Sequence, residues 1–136
     1  MTYPVIRRNP PAHLVSFANE RAASGCTTLA VKENVFQSAR YVDSDGREFR
    51  VLRADLPPEA RGLRGWLRGL ANPFICAELT FSETGASISL EELKEKVLAE
   101  LARDPEFYNA GGELSHIRGR VQRSKNHREL IACFLD

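Results

Sequence analysis

The spacing of apolar residues divides the chain into helical and extended segments. The first helical segment follows a short N-terminal stretch, where Asn9 is suited to cap a helix that Pro10 and Pro11 open. Gly25 is well placed to end this helix. We therefore expect a helix between Pro10 and Gly25, and we allow residues 1–9 to be a loosely ordered arm.

The pattern then changes from helical to extended. Residues 27–32 and 34–42 are rich in Val, Thr and aromatic side chains, and this composition predicts strands. The dipeptide Asp45-Gly46 lies between two extended runs, which is a strong signal for a β-hairpin turn. The return strand is predicted over residues 47–54.

Two further expectations concern the sheet. Tyr41 and Phe49 fall at positions that we expect to lie near each other across this hairpin. Residues 74–82 show partial alternation of apolar and polar side chains, which predicts one more strand after a helix that contains residues 61–70.

The clearest local signal in the chain is a capped helix that begins after Ser89. Ser89 and Glu92 have the spacing of a capping box, and Ile88 and Leu93 are placed as a hydrophobic staple around it. A single apolar stripe follows, formed by Leu90, Leu93, Val97 and Leu101.

The C-terminal part predicts two more helices. Leu114, Ile117 and Val121 have helical spacing, and Asn126 with Glu129 three residues later marks the start of a short final helix. The element order is roughly α-β-β-β-α-β-α-α, which predicts a single α+β domain over residues 1–136. We expect an antiparallel sheet of about four strands with the helices packed largely on one face.

Composition and charge fit an ordinary globular protein. The chain has 136 residues, of which 43% are hydrophobic and 27% charged, and its formal net charge is +1. Such a chain has no strong overall field to attract nucleic acid or an anionic membrane, so any electrostatic partner must recognise a local patch. The three cysteines are odd in number and dispersed, which favours reduced thiols and a cytoplasmic location.

The decapeptide RGLRGWLRGL at residues 61–70 is the strongest candidate for a partner-binding surface. At helical spacing its side chains divide among three faces. The face expected to pack on the core consists of Leu63, Trp66, Leu67 and Leu70. The other two faces consist of Arg61, Arg64 and Arg68, and of Gly62, Gly65 and Gly69.

The glycine face of this decapeptide requires an explanation, because each glycine inside a helix costs about 1 kcal/mol relative to alanine. One interpretation is that a partner approaches the helix axis closely while the adjacent arginines bind carboxylates or phosphates through paired donors. The alternative is that the glycines pack on this protein's own sheet and the arginines are only solvated.

A second basic stretch covers residues 116–128 and contains five Lys or Arg and no acidic residue. Its candidates for nucleic-acid binding are Arg120, Arg123, Lys125 and Arg128, accompanied by His116 and Arg118. Phosphate contacts through these side chains would weaken as salt rises. The alternative is a solvated amphipathic helix, because the stretch has no interleaved aromatic residue on which a base stacks.

The sequence contains no catalytic motif, metal-ligand spacing or phosphate-binding loop that predicts an enzyme. We expect no metal and no cofactor. The sequence leaves open a catalytic cysteine with His13, His116 or His127 as its base, because residues that are distant in sequence can come together when the chain folds.

These observations favour a non-catalytic intracellular protein-binding module. A cognate inhibitor of another protein, of the immunity or antitoxin type, is one concrete version, since such a protein needs only a shaped surface. The alternative is a nucleic-acid-binding module that uses the arginine-rich helix faces. No membrane association is expected, and the oligomeric state is left open.

Overall fold

Seven strands and six α-helices are described in the computed structural model of the chain. The structure describes residues 1–8, 13–62, 67, 70–71, 74–109 and 113–135. Helices and strands are mixed and the main sheet is antiparallel, so the predicted α+β class is confirmed.

Five of the strands form one antiparallel sheet in the order β2-β1-β4-β5-β7. In chain order these strands are β1 Val5–Arg8, β2 Val15–Phe17, β4 Arg40–Asp43, β5 Arg47–Asp55 and β7 Glu78–Ser87. A separate two-stranded sheet pairs β3 Gly25–Thr27 with β6 Phe74–Cys76.

Two short helices precede the central hairpin and four follow the sheet. They are α1 Glu20–Ser24, α2 Thr28–Lys32, α3 Leu90–Arg103, α4 Pro105–Tyr108, α5 Leu114–Arg123 and α6 His127–Ala132. Within the described residues, no helix has the length and the apolar character that crossing a membrane requires.

The predicted β4–β5 hairpin is confirmed. Tyr41 and Phe49 are direct partners across it, and the amide of Gly46 donates a 2.9 Å hydrogen bond to the carbonyl of Asp43 to close the turn. Gly46 has φ +78°, a left-handed conformation that glycine adopts without the steric cost that a side chain brings.

The sheet separates two apolar clusters, because successive residues of a strand point to opposite faces. On one face, Ile6 and Val42 are fully buried under α3, α5 and α6. On the other face, Val5 and Tyr41 are fully buried beside α1, α2 and the two-stranded sheet. The helices are therefore divided between both faces, with the four C-terminal helices on one of them.

The caps of α3 and α6 form as their local sequences predict. Ser89 Oγ accepts a 3.2 Å hydrogen bond from the amide of Glu92, and Asn126 Oδ1 accepts one of 2.8 Å from the amide of Glu129. The stripe of α3 faces the first cluster, and its fully buried members are Leu93, Val97 and Leu101.

The N-terminal predictions are wrong. Residues 5–8 are not a loose arm, since Val5 and Ile6 lie in a strand that pairs with β2 on one side and β4 on the other. Where one helix was predicted, the chain forms β2 and then the five-residue α1, which Asn19 caps by accepting from the amide of Ala22. Asn9, the predicted cap, lies outside the described residues.

Two predicted strands also need correction. Residues 28–32 form α2, because Thr27 Oγ1 accepts from the amide of Ala30 and caps a helix there. Of residues 34–42, only the part from Arg40 onward is a strand. The predicted strand over residues 74–82 divides at Ala77 into β6 and β7, which belong to different sheets.

Candidate partner-binding surfaces

Arg61 is the only arginine of the decapeptide within the described residues. Its Nη2 lies 2.6 Å from Glu78 Oε2, and its Nε donates a 2.6 Å hydrogen bond to the carbonyl of Leu56. Gly62 has φ +77° and open space where a side chain would stand. Arg61 is therefore engaged within the chain, whereas Gly62 presents bare backbone.

The remaining candidates of this decapeptide, Arg64, Gly65, Arg68 and Gly69, lie outside the described residues. Leu67 and Leu70 are described, and they are 55% and 70% exposed. The expectation that these two leucines face the core is therefore wrong. Leu56 and Ile75, which flank the segment in sequence, are partly buried against the second apolar cluster.

A groove opens between α1, the 3₁₀ turn Pro58–Ala60 and β6. Its volume is about 930 Å³. Its apolar lining comes from Ala22, Gly25, Ala60, Phe74, Ile75 and Cys76. Phe74 is 75% exposed, and its ring packs on Gly25, where an added Cβ would come within 2.7 Å of the ring.

The second basic stretch forms α5, the following turn and the start of α6. Two of its four candidates contact backbone of this chain: Arg120 donates to the carbonyl of Ala132 at 3.4 Å, and Arg128 to that of Tyr3 at 3.5 Å. Arg123 and Lys125 are exposed, and their side chains make no hydrogen bond or ion pair within the described residues.

The structure also assembles a set of arginines that the sequence did not single out. Arg8, Arg40 and Arg50 are direct partners across β1, β4 and β5. They lie on the same face of the sheet as Ile6 and Val42, because Arg8 is two residues from Ile6 on β1 and Arg40 is two residues from Val42 on β4. No local pattern reveals this arrangement, because it depends on the register of strands that are far apart in sequence.

The cysteines show no nucleophile paired with a base. Burial raises the pKa of the Cys26 thiol, which keeps it protonated and a poor nucleophile. The Cys133 thiol donates to the carbonyl of Glu129 at 3.3 Å, and Cys76 is exposed.

Two of the three histidines, His13 and His127, have structural contacts, and His116 is exposed on α5. His13 stacks on Phe107 with ring centroids 3.4 Å apart, and its Nε2 lies 3.8 Å from Asp104 Oδ2. His127 Nε2 donates to the carbonyl of Ile88 at 2.9 Å. Across the part of the chain that is described, no three His, Cys, Asp or Glu side chains converge as a metal site.

No family model matches the chain, and neither a curated protein nor a solved structure is significantly similar to it.

Proposed function

We propose that this protein is a non-catalytic protein-binding module whose contact surface is the groove beside Phe74. The observation that carries the proposal is the exposure of Phe74, a large aromatic side chain at the edge of an apolar concavity. Exposed apolar surface around a concave site is typical of protein interaction sites.

The groove supplies what an interface core requires. Aromatic anchors surrounded by water-excluding contacts contribute most of the binding free energy in many interfaces, and polar residues form the rim. Here Ala22 and Ile75 contribute apolar lining, while the exposed Arg21 and Glu59 add charges of both signs. Leu67 and Leu70, close to Phe74 in sequence, add further exposed apolar side chains.

A cognate inhibitor of another protein, of the immunity or antitoxin type, is the version of this proposal that we favour. Such an inhibitor acts by covering its target and needs no catalytic group of its own. The cytoplasmic location remains a prediction from the dispersed cysteines. The nucleic-acid-binding alternative has support from the exposed side chains of Arg123 and Lys125, which make no hydrogen bond or ion pair among the described residues, and the same experiment tests it.

The test compares the proteins that immobilised variants retain from an extract of the source cells, with and without nuclease treatment. We expect the wild-type chain to retain a defined partner in near-stoichiometric amount and Phe74→Ser to lose it. Phe107→Ser is the matched control, because Phe107 is also an exposed phenylalanine, 52% accessible, but it lies on α4 away from the groove. Thermal unfolding of each variant verifies that it is folded.

Equal retention by Phe74→Ser and the wild type would contradict the groove as the contact surface. Loss of the retained material on nuclease treatment would favour the nucleic-acid alternative instead. In that case Arg123→Gln with Lys125→Gln is expected to weaken the binding.

A further inference from the structure

Four arginines share one face of the five-stranded sheet. Arg8 lies directly opposite Arg40, and Arg40 lies directly opposite Arg50. Residues at paired positions project to the same face, and neighbouring strands are about 4.8 Å apart. The three guanidinium groups therefore start from adjacent positions on three consecutive strands.

Arg53 joins this group through an irregularity in β5. The register shifts between Val51 and Arg53, so that Arg50 pairs with Ser82 and Arg53 pairs with Thr80. Ser82 and Thr80 are two residues apart on β7 and face the same side. Arg53 is consequently on the same face as Arg50, and the four residues Arg8, Arg40, Arg50 and Arg53 are called the arginine row.

The arginine row has fewer carboxylates than guanidinium groups. Arg40 Nε lies 3.8 Å from Glu48 Oε1, and Arg53 pairs with Asp55. Arg8 and Arg50 make no ion pair within the described residues, and Arg8 Nε is shielded from solvent without a hydrogen-bond partner there. The row therefore carries two positive charges that the described part of the fold does not balance.

Like charges directly opposite each other on neighbouring strands are destabilising. Arg50 is exposed, and the strand register holds it directly opposite Arg40. An anion bound across the row would remove this repulsion, because each guanidinium presents paired donors that match a carboxylate or phosphate.

We propose that the arginine row binds an acidic segment of another protein through its Asp and Glu carboxylates. The surroundings favour carboxylates of a protein over a nucleic acid. The paired positions of the row hold no aromatic side chain on which a base could stack. The exposed Leu52 beside Arg53 adds an apolar contact that a protein segment uses.

This surface is distinct from the groove beside Phe74 and does not depend on it. The row stands on the sheet face of the first apolar cluster, whereas the groove lies by α1 and β6 beside the second cluster.

The experiment measures fluorescence anisotropy of two labelled probes, octaglutamate and a thymidine octanucleotide, at low and moderate salt. We expect the wild-type chain to bind octaglutamate at low salt, and Arg40→Gln with Arg50→Gln to weaken that binding by about tenfold or more. The charge-matched control is Arg118→Gln with Arg123→Gln on α5, which is expected to change the affinity by less than about twofold. If the double variant does not fold, the same binding measurement is made on the single variant Arg50→Gln.

Phe74→Ser is expected to bind octaglutamate as tightly as the wild type does. The binding of octaglutamate by the arginine row is therefore tested separately from the groove proposal, and failure of the groove proposal would not change it. The inference is overturned if the wild type does not bind octaglutamate at low salt, or if the α5 control or Phe74→Ser weakens binding as much as the row variant. It is also overturned if the octanucleotide binds more tightly than octaglutamate and depends on Arg40 and Arg50.

Discussion

The amide of Ile88 donates a 2.8 Å hydrogen bond to the carbonyl of Gly46, which ties the β4–β5 turn to the residue that precedes the cap of α3. His127 on α6 joins the same junction, because its Nε2 donates to the carbonyl of Ile88 at 2.9 Å. One glycine therefore lies where the β4–β5 hairpin, α3 and α6 meet.

We predict that Gly46→Ala lowers the free energy of unfolding by about 3 kcal/mol or more. The positive φ disfavours any side chain, and an added Cβ would stand 2.9 Å from the carbonyl oxygen of Ile88 and 2.8 Å from the ring of His127. Gly85→Ala is the control, because Gly85 has φ +77° but open space around it. Urea unfolding should show a loss of only about 1–2 kcal/mol for the control; equal losses would contradict the crowding at Gly46.

Asp43 makes the free energy of unfolding depend on pH in the acidic range. Burial by itself would raise the pKa of this fully buried carboxyl. Hydrogen bonds from the amides of Thr2, Arg47 and Asp45, together with the charge of Arg47, outweigh burial and hold the pKa below its usual value. The stabilisation is therefore present above the unfolded-state pKa of about 3.9 and is lost as pH falls through the lower folded-state value.

We expect Asp43→Asn to cost about 2–3 kcal/mol at neutral pH, since the buried donors lose a charged acceptor. The difference from the wild type should shrink as pH falls below about 4, because the carboxyl of the unfolded wild-type chain takes up a proton there while the folded carboxyl, with its lowered pKa, does so only at lower pH. Urea unfolding of both proteins between neutral pH and the acidic range measures this difference in the free energy of unfolding. Asp45→Asn removes the exposed neighbour as a control, and a pH-independent difference for Asp43→Asn would be inconsistent with the lowered pKa.

The three tyrosines should ionise late. Burial, with smaller contributions from Glu20 and Tyr41, raises the pKa of Tyr3 to about 12, and burial also raises the pKa of Tyr41 and Tyr108. Absorbance titration should show the folded chain ionising above the normal tyrosine pKa of about 10 and the urea-unfolded chain ionising near it. Because these folded-state pKa values are raised, stability should fall as pH increases beyond about 10. Superimposable folded and unfolded titrations would contradict the burial of these rings.

Arg50→Gln is expected to stabilise the chain by a few tenths to about 1 kcal/mol, because it removes the like charge opposite Arg40. The gain should diminish in high salt, which screens exposed charges. Arg118→Gln on α5 provides the control for loss of an arginine elsewhere. A destabilised Arg50→Gln variant would show that the arginine row is not under electrostatic repulsion.

The elements that the sequence predicts well are those with complete local signals. The cap of α3 depends on Ser89 and Glu92, and the hairpin turn depends on Gly46, so residues within a few positions determine each structure. The Tyr41–Phe49 pair follows from the turn for the same reason. In residues 28–32, by contrast, the β-branched composition was misleading, because the Thr27 cap and the burial of Val31 favour a helix.

The elements that were missed depend on distant partners. The strand β1 has four residues and little local pattern, and its place in the sheet comes from pairing with β4. The arginine row was missed for the same reason, since Arg8, Arg40 and Arg50 become neighbours only when this register exists. The groove beside Phe74 likewise joins α1 to β6 across a long stretch of chain.

The internal position of β1 has a consequence for synthesis on the ribosome. Val5 and Ile6 are synthesised before β4, which pairs with them at residues 40–43, and before the helices that cover Ile6, from α3 onward. In a nascent chain β1 therefore lacks β4 until residue 43 has been made, and Ile6 stays uncovered until α3, α5 and α6 have followed. During that interval the N-terminal strand is the segment that a chaperone would most usefully shield.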